Sequence, residues 1–486
     1  MTKPSLSDKA LFKDLAFVGD WCEAASGQTT ELRNPTTGEV LAVLPKQGRE
    51  DTARAISEAE KALQVWQALG VDGRAEILHR WASSMRDNKE DLAKIMTAEM
   101  GKPLAESAGE TVYASTFIDF FAAEACRNEG ELIPAHSGSQ RMVVMKQPVG
   151  VGAAITPWNF PALMVTRKVG AALAAGCTIV LKPSSLSPLT ALAHAELANR
   201  AGVPPGVFSV VVGSSSEIGR EILENPTVRA ISFTGSTAIG KFLMAESAKT
   251  VKKIGMELGG NAPFVIFEDA DLDAAVDAAV AAKFRNCGQT CVTANRFLVQ
   301  DSVYDAFVER YVPKVNAITV GNGLEPGTDM GPLIEETAVA KVEEHISDAL
   351  SKGAKLLSGG KRHALGGTFF EPTVLGEVTS EMLIFRDETF GPVAPIIRFS
   401  TEEEGIRLAN DTEYGLAAYF YSQGAARCWR VAEALEAGIV CENTVAFSSA
   451  RAPFGGFKES GVGREGGHQG LDEWQEIKYR CIGCLG

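Results

Sequence analysis

The amino-acid sequence predicts an α/β protein of two or three domains. Short apolar runs alternate with amphipathic stretches after Val149, and a second alternation of this kind begins near Asn261. A strand, a crossover helix and another strand form a parallel sheet, which binds its ligand at the carboxyl ends of the strands. The length of 486 residues exceeds one ordinary hydrophobic core.

The first half of the chain begins with a helical region and continues with strand and helix pairs. Apolar residues recur at spacings of three and four over residues 53–69 and 74–100, which predicts amphipathic helices. Beyond them we predict, in order, strand 150–156, helix 162–175, strand 178–181, helix 189–201, strand 208–212, helix 217–224, strand 230–233 and helix 238–249.

The second alternation starts with strand 263–267 and helix 272–284, just ahead of Cys291. It continues through residues 296–300, 303–315, 339–352 and 417–421. Residues 473–481 are predicted to form a last strand with mixed faces, with which a partner subunit could pair. Glycine-rich stretches between these elements are typical of loops.

The overall composition excludes several classes of protein. The 61 acidic and 47 basic residues give a net charge of −14, which argues against nucleic acid or an anionic membrane as partner. The nine cysteines are odd in number and irregularly spaced, which favours free thiols in a reducing compartment. The start of the chain lacks an apolar signal segment, and residues 169–181 are too short to span a bilayer. We therefore expect a cytoplasmic protein.

Two familiar motifs are incomplete. Gly235 to Lys241 matches most of a phosphate-binding P-loop, but Phe242 stands where a Ser or Thr should hold magnesium, so a P-loop nucleotidase is disfavoured. Cys481 and Cys484 form a lone Cys-x-x-Cys without a second pair or histidines, so no metal site is predicted. The α/β region also lacks a Gly-x-Gly-x-x-Gly fingerprint after a strand.

Three segments contain the groups needed for chemistry on a carbonyl. Cys291 ends the run Asn286-Cys287-Gly288-Gln289-Thr290-Cys291, Glu257 lies in Met256-Glu257-Leu258-Gly259-Gly260, and Asn159 lies in Pro157-Trp158-Asn159-Phe160-Pro161. A thiolate attacks a carbonyl carbon, an amide N–H stabilises the resulting oxyanion, and a carboxylate activates a water.

With these segments the chain resembles the aldehyde dehydrogenase superfamily over essentially its whole length. Further matches are Leu181-Lys182-Pro183-Ser184, Ser232-Phe233-Thr234-Gly235-Ser236, Glu388-Thr389-Phe390-Gly391-Pro392 and Ala452-Pro453-Phe454-Gly455-Gly456. The resemblance implies a Rossmann-like cofactor domain over 1–127 and 148–257, and an α/β catalytic domain over 258–468. It also implies a small β oligomerisation arm over 128–147 and 469–486, in a homodimer or homotetramer.

The resemblance assigns roles to the residues quoted above. Cys291 would be the nucleophile, with a thiol pKa that local positive potential can lower. Asn159 and the backbone N–H of Cys291 would donate to the oxyanion of a thiohemiacetal. Glu257, with a pKa raised by partial burial, would activate the water that hydrolyses the thioester. A catalytically silent scaffold is the alternative of another class, and the intact set of three residues argues against it.

Cofactor contacts follow from the same resemblance. They are Trp158, Lys182, Gly235, Ser236, Leu258, Glu388 and Phe390. Relatives that prefer NAD usually have a glutamate three residues after the lysine, where this chain has Ser185. A carboxylate at that position would repel a 2′-phosphate, whereas a serine accepts one. We therefore expect NADP as cofactor, with NAD as the alternative.

Within the superfamily the chain is most similar to bacterial succinate-semialdehyde dehydrogenases. This likeness predicts succinate semialdehyde as substrate, with its carboxylate held by Arg167, Arg285 and Ser448. Glutarate semialdehyde or another small aliphatic aldehyde is the alternative, because residues 441–447 depart from the usual Gly-Ile-Asn-Thr-Gly pattern close to the substrate loop. Thr293 also stands where many members have a second cysteine.

Overall fold

The computed structural model describes residues 3–483, and Cys484 of the Cys-x-x-Cys motif lies outside them. Its helices are, in chain order, α1 (Arg49–Ala68), α2 (Gly70–Asp87), α3 (Lys89–Met100), α4 (Leu104–Ala125), α5 (Leu163–Ala175), α6 (Pro188–Ala201), α7 (Ser215–Glu224), α8 (Thr237–Ser247), α9 (Leu272–Phe284), α10 (Tyr304–Asn316), α11 (Glu336–Ser351), α12 (Leu383–Arg386), α13 (Glu402–Asn410) and α14 (Ala425–Ala434).

The strands form three larger sheets and two short ribbons. They are β1 (Ala16–Val18), β2 (Asp20–Cys22), β3 (Thr29–Arg33), β4 (Val40–Pro45), β5 (Glu131–Ile133), β6 (Arg141–Pro148), β7 (Val151–Ile155), β8 (Thr178–Lys182), β9 (Phe208–Val210), β10 (Val228–Thr234), β11 (Lys253–Glu257), β12 (Ala262–Ile266), β13 (Ala294–Gln300), β14 (Lys355–Ser358), β15 (Thr373–Gly376), β16 (Val393–Phe399), β17 (Tyr414–Gly415), β18 (Ala417–Tyr421), β19 (Ile439–Glu442), β20 (Phe457–Lys458), β21 (Gly461–Val462) and β22 (Gln475–Ile482).

The first sheet has a parallel centre of the doubly wound kind. Its strand order is β2-β1-β9-β8-β7-β10-β11-β21, and the strands from β9 to β11 pair in parallel. Strands β8 and β9 lie on one side of β7, and β10 and β11 lie on the other. The direction in which the chain adds strands therefore reverses between β7 and β10, which makes this place the switch point of the sheet. A dinucleotide binds at such a switch point, at the carboxyl ends of the strands.

The second sheet has the order β14-β15-β16-β13-β12-β18-β19 and is parallel except for the β14–β15 pair. Its strands β12, β13 and β18 are completely buried, so their near-continuous apolar sequences fit a sheet covered on both faces. The two parallel sheets confirm the predicted α/β class.

The third sheet is a small antiparallel one in the order β22-β6-β5. Strand β22 pairs with β6 over its whole length, from Gln475 opposite Pro148 to Ile482 opposite Arg141. This pairing joins two segments that are far apart in the sequence. Consecutive residues of β22 and all three residues of β5 are exposed, so both faces of the sheet are open to solvent in the single chain.

The helical region differs from the prediction at one point. The predicted helix 74–100 is wrong as a single element, because α2 ends at Asp87 and α3 begins at Lys89. Asn88 lies between them with φ −106° and ψ 19°, and its side chain donates to the carbonyl of Ser84 at 2.8 Å. An asparagine that bonds to the backbone in this way competes with continued helix.

In residues 3–483 none of the helices has the length and apolar character to cross a membrane. The same residues contain no group of three or more His, Cys, Asp or Glu side chains that could hold a metal ion.

Candidate active site

Cys291 follows a tight turn that begins where α9 ends. Within the turn Arg285–Gly288, Asn286 and Cys287 have φ values of 51° and 57°, which non-glycine residues rarely adopt. The Asn286 side chain donates to the carbonyls of Asn159 at 3.1 Å and Gln289 at 3.2 Å. Its backbone N–H is bound by the carboxylate of Glu106 at 3.0 Å. These bonds hold the strained turn in place.

Asn159 contacts this turn from the loop after β7. Its Nδ2 donates to the carbonyl of Gln289 at 3.0 Å, while its buried Oδ1 has no hydrogen-bond partner among the described residues. Its own carbonyl accepts from Lys102 Nζ at 2.7 Å. The amide predicted to bind an oxyanion therefore lies beside the Cys291 loop, with one of its two N–H groups already used by Gln289.

Lys102 and Glu110 were not predicted, yet they support Asn159. Both are buried, and their side chains form an ion pair at 2.5 Å. The other carboxylate oxygen of Glu110 accepts the backbone N–H groups of Ala162 and Leu163, at the start of α5. A buried pair of this kind needs such extra bonds to offset the loss of hydration. No local sequence signal linked the two residues to the site.

The Cys291 thiol is surrounded by charged side chains. Burial raises its pKa to about 12, and the carboxylates of Glu388 and Glu257 act in the same direction. The guanidinium groups of Arg167 and Arg285 lower the pKa but do not outweigh burial. The expected lowering of the thiol pKa is thus not found in the chain alone, because desolvation of the thiolate is the larger effect.

Glu257 ends β11 and points into the same site. Burial raises the pKa of its carboxyl well above 4.5, and the nearby carboxylate of Glu465 raises it further. Neither carboxylate oxygen has a hydrogen-bond partner among the described residues. A Cβ on Gly455 would lie 2.8 Å from Glu257 Oε1, so only glycine leaves room for the carboxylate there. A carboxylate whose pKa is raised in this way is a stronger base than an ordinary glutamate.

A buried ion pair lies next to Glu257. Lys168 donates to Glu465 through a short contact and to Ser232 Oγ at 3.0 Å. Arg167 Nη1 lies 3.7 Å from the other oxygen of Glu465. The sequence alone assigns no role to Lys168 or Glu465. Because 297 residues separate them, no sequence pattern could have paired them.

The three predicted substrate residues lie in different surroundings. Arg167 is buried, with its guanidinium 4.0 Å from the Phe454 ring and 5.0 Å from Phe117, and its Nε and Nη1 have no hydrogen-bond partner among the described residues. Arg285 is exposed and lies 4.9 Å from the ring of Phe160. Ser448 is exposed at an 890 Å³ cavity beside α4. Of these three residues, only the two arginines lower the pKa of the Cys291 thiol.

A groove of 660 Å³ opens at the switch point of the first sheet. Its floor contains Ile155, Lys182 and Phe233, from the carboxyl ends of β7, β8 and β10. Its walls come from α7 and α8. Burial lowers the pKa of Lys182 to about 8, and its ammonium has no bonding partner among residues 3–483. A mostly apolar groove that contains an unpaired lysine suits an adenosine moiety and its hydroxyl or phosphate groups.

The predicted glycine and serine contacts connect this groove to Glu257. The N–H of Gly235 donates to the carbonyl of Glu257 at 3.0 Å. Ser236 is the N-cap residue of α8, so the first N–H groups of that helix have no partner within the helix. The Leu258 side chain packs so tightly against Gly240 that any Cβ there would clash. Such a helix start can bind a pyrophosphate.

On the other side of Cys291, Trp158 and Phe390 meet edge to face with ring centroids 5.7 Å apart. Phe390 has a φ of 53°. Glu388 accepts a hydrogen bond from the N–H of Gly260 at 3.1 Å, and burial raises the pKa of the Glu388 carboxyl to about 7.

Ser185, the residue expected to favour NADP, does not line the groove that contains Lys182. It is exposed on an adjoining 550 Å³ cavity.

Comparisons with known proteins find relatives over nearly the whole chain. A family model described as "Aldehyde dehydrogenase family" matches residues 21–479. A "Glutarate-semialdehyde dehydrogenase" of Pseudomonas aeruginosa is 57% identical, over 98% of this chain and 99% of that protein. An NADP(+) "Succinate-semialdehyde dehydrogenase" of Escherichia coli is 55% identical over the same shares. A crystal structure of succinate-semialdehyde dehydrogenase from Burkholderia pseudomallei is 56% identical with a TM-score of 0.98, covering 99% of this chain and 100% of that one.

Proposed function

The chain belongs to the aldehyde dehydrogenase family, and we propose that it oxidises succinate semialdehyde to succinate with NADP. One observation carries this proposal. Buried polar atoms without partners among the described residues gather around Cys291: the carboxylate oxygens of Glu257, Oδ1 of Asn159, and Nε and Nη1 of Arg167. Buried polar groups are normally hydrogen-bonded, so such a cluster fits a site whose partners arrive with the substrate.

The chain's own groups supply the nucleophile, the oxyanion donors and the general base. Cys291 gives its proton to water and adds as the thiolate to the aldehyde carbon, giving a thiohemiacetal. Asn159 Nδ2 and the backbone N–H of Cys291 donate to the oxygen of this adduct, and each such donor is worth about 3–4 kcal/mol. The nicotinamide of NADP, when bound, accepts the hydride from that carbon. The thioester left on Cys291 retains the carbon skeleton of the substrate.

Hydrolysis of the thioester requires a general base, and Glu257 is the proposed one. Its carboxylate takes a proton from water while the oxygen attacks the thioester carbon, releasing the acid and the Cys291 thiol. The raised pKa of Glu257 supports this role, since a base works best with a pKa near the operating pH. The nearby charges act on it in opposite directions, since Glu465 raises the pKa of Glu257 and Lys168 lowers it.

Preference for NADP is supported by the groove at the switch point. Lys182 lines this groove without an ion-pair partner among the described residues, and Ser185 puts no carboxylate nearby. NAD binding would use the same groove without the 2′-phosphate contact. The other proposed contacts, at Gly235, Ser236, Leu258, Glu388, Phe390 and Trp158, extend from the groove to Cys291.

Glutarate semialdehyde is the second candidate substrate. The support is the 57% identical relative that bears that name, together with residues 441–447, which depart from the pattern expected beside the substrate loop. Both substrates are short aldehydes with a terminal carboxylate, which suits Arg167 and Arg285. They differ by one methylene, which a pocket distinguishes by about 1–3 kcal/mol.

We further propose that the domains follow the family arrangement, with 128–147 and 469–486 as an arm that assembles a homodimer or homotetramer. The support is the β22-β6-β5 sheet, in which Leu132 and Ile477 lie on opposite faces with exposures of 71% and 75%. A cytoplasmic location is proposed from the free cysteines.

A substrate panel tests the proposed function. NADPH or NADH formation is followed with succinate semialdehyde, glutarate semialdehyde and butanal, each with NADP and NAD. We expect the highest kcat/KM for succinate semialdehyde with NADP, and no activity in Cys291→Ala. Higher kcat/KM for glutarate semialdehyde would select the second candidate. Equal rates on butanal would refute recognition of the carboxylate.

A further inference from the structure

The 890 Å³ cavity beside α4 is enclosed by three segments of the chain. One wall is formed by α4, the second by the loop 448–451, and the third begins at His468. The backbone N–H of Gly467 donates to the carbonyl of Ala450 at 2.9 Å. This hydrogen bond joins the second wall to the third.

Arg167 lies where the same three segments meet. Phe117 belongs to α4, and its ring lies 5.0 Å from the Arg167 guanidinium. Phe454 follows the loop 448–451, and its ring lies 4.0 Å from the same group. Glu465, from the segment that leads into the third wall, lies 3.7 Å from Nη1 of Arg167. Because Arg167 is buried, the cavity lies on the solvent side of the residue assigned to the substrate carboxylate.

The charged side chains that line this cavity differ in how they are paired. Asp119 binds Arg86 at 2.6 Å, and Glu124 binds Arg127 at 2.6 Å. Arg451 also lines the cavity and is exposed, and it has no carboxylate partner within residues 3–483. Since both acids are neutralised by arginines, the Arg451 guanidinium is free to bind an anion that enters the cavity.

We propose that Arg451 binds the carboxylate of the aldehyde substrate at this cavity, before the substrate reaches Arg167, and so favours anionic aldehydes over neutral ones. The proposal rests on the oxidation of a carboxylated aldehyde proposed above and adds a residue to its recognition. Arginine suits this role because its planar guanidinium can donate two parallel hydrogen bonds to a carboxylate. An ion pair in solvent is weak, so the substrate can leave Arg451 for the buried arginine.

The charge of the whole chain explains why such a residue has an effect. The net charge of −14 repels an anionic substrate, and the buried Arg167 cannot meet that substrate in solvent. An exposed guanidinium acts at the encounter, where attraction between opposite charges raises the association rate. The contribution of Arg451 therefore belongs to kcat/KM and decreases when salt screens the charges.

Steady-state kinetics at two ionic strengths test this role. In Arg451→Ala we expect kcat/KM for succinate semialdehyde with NADP to fall about threefold to tenfold at low salt, with kcat unchanged. Arg451→Glu should lose more, whereas Arg451→Lys should retain most of the value because it keeps the charge. The losses should disappear in about 1 M NaCl, where the screening length is about 3 Å. Butanal should be oxidised equally well by all of these variants.

Arg229→Ala is the matched control. Arg229 is an exposed arginine near the start of β10 and does not line the cavity. The substitution changes the net charge by the same amount as Arg451→Ala. It should leave kcat/KM unchanged for both aldehydes.

The outcomes separate the role of Arg451 from the proposed function. An unchanged kcat/KM for succinate semialdehyde in Arg451→Ala, an equal loss on butanal, or a loss that persists at high salt would each overturn the proposal and leave the aldehyde oxidation intact. If the unaltered enzyme oxidised butanal as efficiently as succinate semialdehyde, recognition of the carboxylate would itself fail, and the role of Arg451 with it.

Discussion

The Cys291 thiol has to ionise in surroundings that oppose ionisation. Burial and two carboxylates raise its pKa, while Arg167 and Arg285 reduce the effect. A thiol with a pKa of about 12 is almost entirely protonated at neutral pH, so the chain alone holds its nucleophile in an unreactive form. Activation then has to come with the ligands that enter the site.

Alkylation of the cofactor-free enzyme tests whether the Cys291 thiol is protonated at neutral pH. We expect the rate of iodoacetamide labelling at Cys291, measured by peptide mass spectrometry, to keep rising about tenfold per pH unit through pH 9, since the thiolate fraction does so below the pKa. The exposed Cys126 serves as an internal reference. A rate that levels off near pH 7 would show that the site already lowers the pKa.

Arg285 offers a second test at the level of one side chain. It is exposed, has no ion-pair partner within residues 3–483, and contributes positive potential at Cys291. Arg285→Ala should raise KM for succinate semialdehyde roughly tenfold to a thousandfold, about 1.5–4 kcal/mol for a lost charge-assisted bond. Butanal has no carboxylate, so its KM should barely change.

The control for this test is Arg310→Ala, at an exposed arginine of α10 that pairs with Asp273. It should leave both aldehydes unaffected. A similar loss on succinate semialdehyde and butanal in Arg285→Ala would mean that the arginine supports the loop and does not bind the carboxylate.

At the level of elements, the turn Arg285–Gly288 determines where the nucleophile lies. Asn286 holds a φ of 51° and binds two carbonyls, one of them from Asn159. Asn286→Ala loses both hydrogen bonds and keeps the backbone strain, and Asn286→Gly loses the bonds but relieves the strain. We expect kcat/KM to fall about 100-fold in both variants, since small displacements of a reacting group have effects of that size.

Thermal unfolding separates the effect of the lost hydrogen bonds from the effect of the backbone strain. Asn286→Ala should unfold at a lower temperature than Asn286→Gly, because only the alanine variant strains the turn. If both variants kept normal kcat/KM, the turn would have no role in placing Cys291. If they unfolded at the same temperature, the backbone of this turn would not be strained.

Local patterns predicted most elements, because the alternation of apolar and polar residues reports which face is buried. Helix α9 lies over the predicted residues 272–284, and β22 lies close to the predicted 473–481. The break at Asn88 was missed because it depends on one side chain bonding to its own backbone. The positive φ values at Asn286 and Cys287 were also hidden, since neither residue is a glycine.

At the scale of the whole molecule, sequence patterns do not predict contacts between residues that are far apart in the chain. The motifs contain Cys291, Glu257 and Asn159, so the chemistry could be predicted from residue types and their order. The partner of Lys168 could not, because Glu465 comes from the far end of the chain. Lys102 and Glu110 lie on either side of the start of α4, and only the folded chain brings them beneath Asn159.

Assembly is a property of the whole molecule that the arm sheet should control. Ile477 and Tyr479 lie on one face of β22 and are 75% and 54% exposed, while Glu476 and Lys478 alternate with them. Ile477→Glu should shift the homo-oligomer to smaller species in sedimentation velocity. Glu476→Lys on the opposite face should not. A monomeric unaltered chain, or an unchanged oligomer in Ile477→Glu, would contradict the assigned role of the arm.

In the proposed mechanism Cys291 holds the substrate as a thioester, and Glu257 activates the water that hydrolyses it. Glu257→Gln mixed with succinate semialdehyde and NADP should release a burst of about one NADPH per active site, followed by slow turnover. Peptide mass spectrometry of the quenched mixture should then find a succinyl group on Cys291. Rapid steady-state turnover in this variant would contradict the role of Glu257 as general base. A burst that leaves Cys291 unmodified would contradict its role as nucleophile.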